Sequence, residues 1–271
     1  MADEFDPPKG ALMAGRKGLV MGLADHRSVA YGISAQLAAQ GAELAVSFIE
    51  PNERRARPLA EGLGALPIVA DVMSDASMDG LFATLAAKFG KLDFLVHSLA
   101  FADRSQLKGS FVENTTRDGF RLAMDVSVFS FVDACRRAGP LMNPGGSIVT
   151  MTFLGAERAI PNYNMMGVAK AALEASVRYA ARDLGPQGVR VNAISAGALR
   201  TLSLAGIAGG RAMVSQGRAL SALKEDTTME GVAGCALWLL SELGASTTGE
   251  VIHVDAGFHM MGLPSDDEAG A

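Results

Sequence analysis

The chain has 271 residues, 49% of them hydrophobic and 20% charged, with a formal net charge of −5 at pH 7. That is a globular composition long enough for a sizeable core, and its acidic balance argues against a nucleic-acid binder. No apolar run reaches the roughly 18 residues of a membrane span, and the acidic start "MADEFDPPKG" lacks the basic and apolar regions of a signal peptide, so a cytoplasmic protein is expected.

Residues 1–14 and 263–271 read as mobile tails around a single domain at 15–262. Within it, short apolar runs alternate with segments of helical period. The first run, "KGLVMGL" (17–23), leads into "GLADHRSVAYG". There Gly22 allows a tight turn and Ser28 can cap the helix read in "SVAYGISAQLAAQG", which Gly41 ends. The turn lacks G-x-G-x-x-G spacing, so two readings stay open, an ordinary strand-to-helix turn or a pyrophosphate site at a helix N-terminus.

The second run, "ELAVSFI" (43–49), ends in "EPNERRAR". Glu50 there fits the ribose diol of NADH, while Arg54 and Arg55 leave NADPH open. "PIVADV" (67–72) carries Asp71 to a strand tip, within reach of an adenine amine, and "SDASMDGLFATLAAKFG" forms a helix stopped at Gly90. "DFLVHSL" (93–99), "GSIVTMT" (146–152), "RVNAISA" (190–196) and "GEVIHVDA" (249–256) complete the strands. Runs that are apolar throughout, rather than alternating, belong in a parallel sheet covered on both faces. The fold class is therefore α/β, a Rossmann-type doubly wound sheet of about seven parallel strands with helices on both faces.

The chemistry concentrates in "TFLGAERAIPNYNMMGVAK" (152–170). Tyr163 and Lys170 are seven positions apart, about two helical turns, so both side chains leave one helix face. An ammonium beside a phenol favours the phenolate and lowers its pKa from about 10. The same ammonium can bind a nicotinamide-ribose hydroxyl. Four histidines are scattered without metal-ligand spacing, so no metal is expected, and His97 reads as a structural histidine with its hydrogen bonds satisfied. Cys135 and Cys235 lie in apolar, helix-like stretches and read as buried free thiols of a reducing compartment.

Over residues 12 to 262 the chain resembles the short-chain dehydrogenases/reductases, and within them the divergent branch of bacterial enoyl-acyl-carrier-protein reductases. The resemblance rests on "GLADHRSVAYG", "LDFLVHSLAFA", "LGAERAIPNYNMMGVAKAALEASVRY", "GPQGVRVNAISAG" and "TGEVIHVDAGF". It implies reduction of a trans-2-enoyl thioester on acyl carrier protein, with NADH giving hydride to the β-carbon and Tyr163 bonding the developing enolate. It implies that Gly22, Ser28, Val29, Asp71, Val72, Leu99, Lys170, Leu199 and Thr201 line the cofactor, with Ile49 at the adenosine-contacting position. Ala102, Met166 and Ser203 would meet the substrate, under a mobile loop continuing through "LAGIAGGRAMVSQ". A homotetramer is also implied.

Four departures stand against that pattern. Phe153 replaces a second tyrosine ten positions before Tyr163, Ala198 replaces a proline, Glu225-Asp226 sits where a basic pair is usual, and Ile49 replaces a glutamine. Two alternatives therefore stay open. One is a carbonyl or alcohol oxidoreductase of the broader superfamily, with Thr150 in the place of a catalytic serine. The other is a specialised or inactive paralogue.

Overall fold

The structure is a computed structural model describing residues 5–207 and 209–262, except that the side chains of Ser203, Ala205 and Arg211 fall outside the described residues. Seven parallel strands form one sheet: β1 Lys17–Met21, β2 Glu43–Phe48, β3 Leu66–Val69, β4 Leu92–His97, β5 Met142–Thr152, β6 Arg190–Ala196 and β7 Val251–Val254. Their order across the sheet is β3-β2-β1-β4-β5-β6-β7. Each expected strand is present, with shifted ends. β5 begins earlier than expected, because Met142 pairs with Leu92 before a register shift lets the chain resume at Ser147 beside Phe94. β7 is shorter, because Gly249 takes φ +79° before it and Asp255 turns the chain after it by accepting the Gly257 and His259 amides.

The helices are α1 Val29–Ala39, α2 Glu53–Gly62, α3 Asp75–Phe89, α4 Phe111–Asn114, α5 Arg117–Met124, α6 Ser130–Ala138, α7 Asn164–Leu184, α8 Leu202–Ala205, α9 Gly210–Leu220 and α10 Met229–Leu240. A π-helical turn, Asp125–Phe129, joins α5 to α6. Alternate strand residues face opposite sides. Leu19, Met21, Leu95 and Ile148 pack under α3, α6 and α7. Their neighbours Val20, Val96 and Val149 pack under α1, α2 and α10. Both faces are covered, which is why the strands read as continuous apolar runs.

The sequence stretch expected as an N-terminal tail, 1–14, is tied to this body from Pro8 onward. Gln40 donates to the Pro8 carbonyl at 2.8 Å, the Met13 amide donates to the Gln40 carbonyl, and Met13 is fully buried. Residues 1–4 and the expected tail 263–271 lie outside the described residues. Cys135 is buried and Cys235 half-buried, and both are free thiols.

One buried cation anchors the far end of the sheet. Arg190, at the start of β6, donates to the Leu239 carbonyl at 2.7 Å and the Ser241 carbonyl at 3.1 Å, covering the C-terminus of α10. It also reaches the Thr247 carbonyl. Removing it takes the charge-assisted bonds from these helix-end acceptors and leaves them only the weaker neutral donors Ser147, Gly244 and Asn192. Arg190→Met is expected to cost about 2–3 kcal/mol, measured as a lower urea midpoint with an unchanged slope; an unaltered midpoint would refute this role.

Candidate active site

The strand order reverses at β1: β2 and β3 lie to one side of it and β4 to β7 to the other. A doubly wound sheet opens a crevice at that switch, beyond the carboxyl ends of the strands. Here a cleft of about 400 Å³ occupies it. Its walls come from the segments leaving β1 (Gly22), β4 (Ser98 to Ala102), β5 (Met151 to Phe153) and β6 (Ala196 to Leu199).

The floor depends on a glycine. Gly22 takes φ +97°, and a Cβ there would lie 2.2 Å from the Ser98 carbonyl oxygen. No other residue lets the chains leaving β1 and β4 approach so closely. Ser28 then caps α1: its hydroxyl accepts the Tyr31 amide at 3.3 Å and donates to the Asp25 carbonyl at 2.6 Å. Ser28 and Val29 line the cleft, so the positive end of α1 faces it. The opposite wall is held by buried Ser127, which donates to the Phe101 carbonyl and accepts its amide, fixing the loop that carries Ala102.

At the other end stand Tyr163 and Lys170. Tyr163 immediately precedes α7, between Asn162 at φ +62° and Asn164 at φ +38°. Asparagine tolerates this region better than most residues, and such strain is retained where the surroundings fix it. The Tyr163 ring meets Phe153 edge-on, with centroids 4.8 Å apart. It also lies over Gly155, where a Cβ would come within 2.3 Å of the ring. Lys170 is buried and donates to the Met151 carbonyl at 2.7 Å.

The electrostatics correct one expectation. The sequence reading had Lys170 lowering the Tyr163 pKa. In the fold, burial pushes the Tyr163 phenol well above its ordinary value, and the Glu174 carboxylate adds to the shift. Burial brings Lys170 down to about 8 against the opposing pull of Glu174. The phenol is therefore a neutral donor at pH 7, beside a lysine still mostly charged.

The cleft brings together Gly22, Ser28, Val29, Leu99, Ala102, Phe153, Tyr163, Met166, Lys170, Leu199 and Thr201 from the sequence-derived set. Ile49, Asp71 and Val72 are not among its lining. They leave the ends of β2 and β3, on the same sheet edge beside β1. Asp71 accepts the Met73 amide at 2.9 Å there. The Ser203 side chain lies outside the described residues. Sequence reasoning missed Gly155, the Met151 carbonyl and Glu174. The last was legible as a residue one turn beyond Lys170; the first two depend on tertiary approach. Among the described residues no cluster of His, Cys, Asp or Glu could hold a metal ion.

Thr150 is fully buried and sealed away from the cleft. Its hydroxyl lies 3.0 Å from His97 Nδ1, while His97 Nε2 lies 2.9 Å from the Ser130 hydroxyl. Burial, reinforced by the Lys170 charge, lowers the His97 pKa from 6.5 to about 3. The unfolded chain takes up this proton first, so between those two pH values the group destabilises the fold as pH falls, by up to ~1.4 kcal/mol per pH unit. Nitrogen-detected NMR is expected to show His97 neutral down to about pH 5; titration above that pH would refute the closed network.

Comparison with known proteins follows the same residues. The family described as Enoyl-(Acyl carrier protein) reductase matches residues 22–259. An NADH enoyl-[acyl-carrier-protein] reductase of Rhizobium meliloti is 47% identical over 258 residues, covering 94% of each chain. The crystal structure of the enoyl-(acyl-carrier-protein) reductase of Anaplasma phagocytophilum with NAD is 47% identical and superimposes with a TM-score of 0.91, over 96% of this chain and 99% of that one. The Bacillus cereus enoyl-acyl carrier protein reductase with NADP+ and an indole naphthyridinone gives 44% identity and a TM-score of 0.90, over 93% and 99%. Matched along nearly its whole length in sequence and in fold, the chain belongs to the enoyl-(acyl carrier protein) reductase family.

Proposed function

We propose that this chain is an NADH-dependent oxidoreductase of fatty-acid synthesis that reduces the carbon–carbon double bond of trans-2-enoyl thioesters carried on acyl carrier protein. The observation that carries this reading is the cleft itself, which runs from the N-terminus of α1 at Ser28 to the Tyr163–Lys170 pair. The cradle under Ser98, which any Cβ at Gly22 would fill, fits a pyrophosphate lying against backbone at a helix N-terminus. Gly22, Ser28, Val29, Leu99, Leu199 and Thr201 would hold the cofactor in the cleft, and Ile49, Asp71 and Val72 its adenosine end along the edge. When bound, NADH supplies the hydride. NADPH remains the competitor that the assay below distinguishes.

The side chains then divide the work. One of the three N–H donors of Lys170 is committed to Met151, which leaves the others for a ribose diol. Tyr163, held as a neutral phenol, donates to the thioester oxygen where negative charge develops. Phe153 lacks a hydroxyl, so its part is the edge-on aromatic wall that keeps the Tyr163 ring in place. Ala102 and Met166 would meet the thioester and the acyl chain. A second cavity of about 380 Å³ shares Phe153, Ala198 and Met213 with the cleft and continues to Ile160 and Phe258, giving an apolar acyl chain somewhere to extend. Thr150 is fully buried, which weighs against the carbonyl-reductase alternative that would use its hydroxyl.

The acidic pair at 225–226 is less hostile to an acidic carrier than the sequence implied. Asp226 lies 3.7 Å from Arg200 and 3.6 Å from Arg218, so its charge is locally offset. Phe120, Phe129, Val132 and Val168 stay exposed on α5, the π-helical turn, α6 and α7. Such a surface supports self-association into a homotetramer. No helix among the described residues is long and apolar enough to cross a membrane, and the two free thiols suit the reducing cytoplasm.

Turnover of a trans-2-enoyl thioester is expected with NADH in preference to NADPH. Tyr163→Phe is expected to lower kcat by about 10²–10³ with NADH affinity retained, and Phe153→Tyr to stay within about threefold of the parent because the ring is already in place. Tight NADH binding without enoyl turnover would overturn the reductase reading. Light scattering is expected to give four times the 28.1 kDa chain mass; a monomer mass would refute the assembly.

A further inference from the structure

Glu174 is a buried carboxylate for which the reaction as derived above has no use. It lies on α7 one turn beyond Lys170, on the same helix face. Its Oε1 accepts the Thr152 hydroxyl at 2.6 Å. Lys170 meanwhile donates to the carbonyl of Met151, the residue before Thr152. Two successive turns of α7 thus grip two successive residues at the end of β5, and the next residue is Phe153, which holds the Tyr163 ring. We infer that Glu174 is a positioning residue for the reductase chemistry: it clamps Thr152 so that the end of β5 stays seated on α7, and it is the buried counter-charge of the Lys170 ammonium.

The groups that face Glu174 come from each element around it. Tyr163, Lys170 and Arg178 belong to α7 or its start. Thr152 ends β5, Glu157 follows the Leu154–Ala156 turn, and His253 lies on β7. His253 Nε2 lies 2.9 Å from Glu157 Oε1, and its ring stacks on His259. Burial, with Glu157 adding, raises the Glu174 pKa, while the Thr152 bond, His253 and Arg178 lower it. Burial alone would strip the proton from Lys170 at lower pH, and Glu174 opposes this. Lys170 works as an ammonium, so activity must fall as pH rises through its pKa. Removing the Glu174 charge leaves burial unopposed, and that alkaline limb must move to lower pH.

The kinetic form of this inference rests on the reductase reading; its binding and stability forms do not. Glu174→Gln is expected to shift the alkaline limb of kcat/KM with enoyl thioester and NADH down by about 1 pH unit or more. The pH dependence of NADH affinity, followed by NADH fluorescence, should shift the same way. Thr152→Val keeps the carboxylate but breaks the clamp, and is expected to lower kcat roughly tenfold without moving the limb. Limbs that coincide in Glu174→Gln and the parent, in both kinetics and binding, would overturn the inference. A shifted NADH-binding limb in an enzyme without enoyl turnover would sustain it while sinking the reductase reading. Where Glu174→Gln folds poorly, the double variant with Lys170→Met is decisive. Removing both charges is expected to cost less in Tm than the two single losses summed; strictly additive losses would again overturn it.

Discussion

Covering both faces of a seven-stranded parallel sheet is the constraint from which the remaining features follow. Alternate residues of β1, β4 and β5 enter two separate cores, so the strand interiors offer no room for unpaired polar groups. Functional chemistry is driven to the carboxyl ends of the strands, where the chain leaves the sheet and can turn. The order reversal at β1 then leaves a gap that no crossover covers, and the cleft lies in it.

The polar side chains that do penetrate the interior are consistent with this constraint, because among the described residues all but one are spoken for. His97 lies between Thr150 and Ser130. Arg190 closes the C-terminus of α10. Lys170 and Glu174 grip adjoining residues of β5. Ser34 is the one buried side-chain oxygen without a partner among the described residues. The interior charges near the cleft are therefore structural fixings. The buried Glu174 carboxylate raises the pKa of the lysine on its own helix face, and it raises that of Tyr163 as well.

Tyr163 shows how local strain and packing combine. Its two asparagine neighbours hold backbone conformations of positive φ, which turns the chain sharply before α7 begins. Gly155 makes room for the ring and Phe153 supports its edge. The hydroxyl missing from Phe153 does not disturb this arrangement, since the contact is made by the ring. The burial that fixes the ring also holds its phenol protonated, reversing the expectation drawn from the lysine alone.

The sequence by itself determined the strand number, the parallel sheet, the cap at Ser28 and the Tyr163–Lys170 spacing. These are local or periodic properties, written in runs of apolar residues, helix-start signals and a two-turn interval. Strand ends were less legible, because β5 and β7 are bounded by a register shift and by turn hydrogen bonds made elsewhere in the chain. The tertiary structure alone decided that Gly22 lies under Ser98, that Gly155 faces the Tyr163 ring and that Thr150 is closed off by His97. It also decided the direction of the Tyr163 shift. Each of these depends on the distance between segments far apart in the chain, and on burial that exists only once both faces of the sheet are covered.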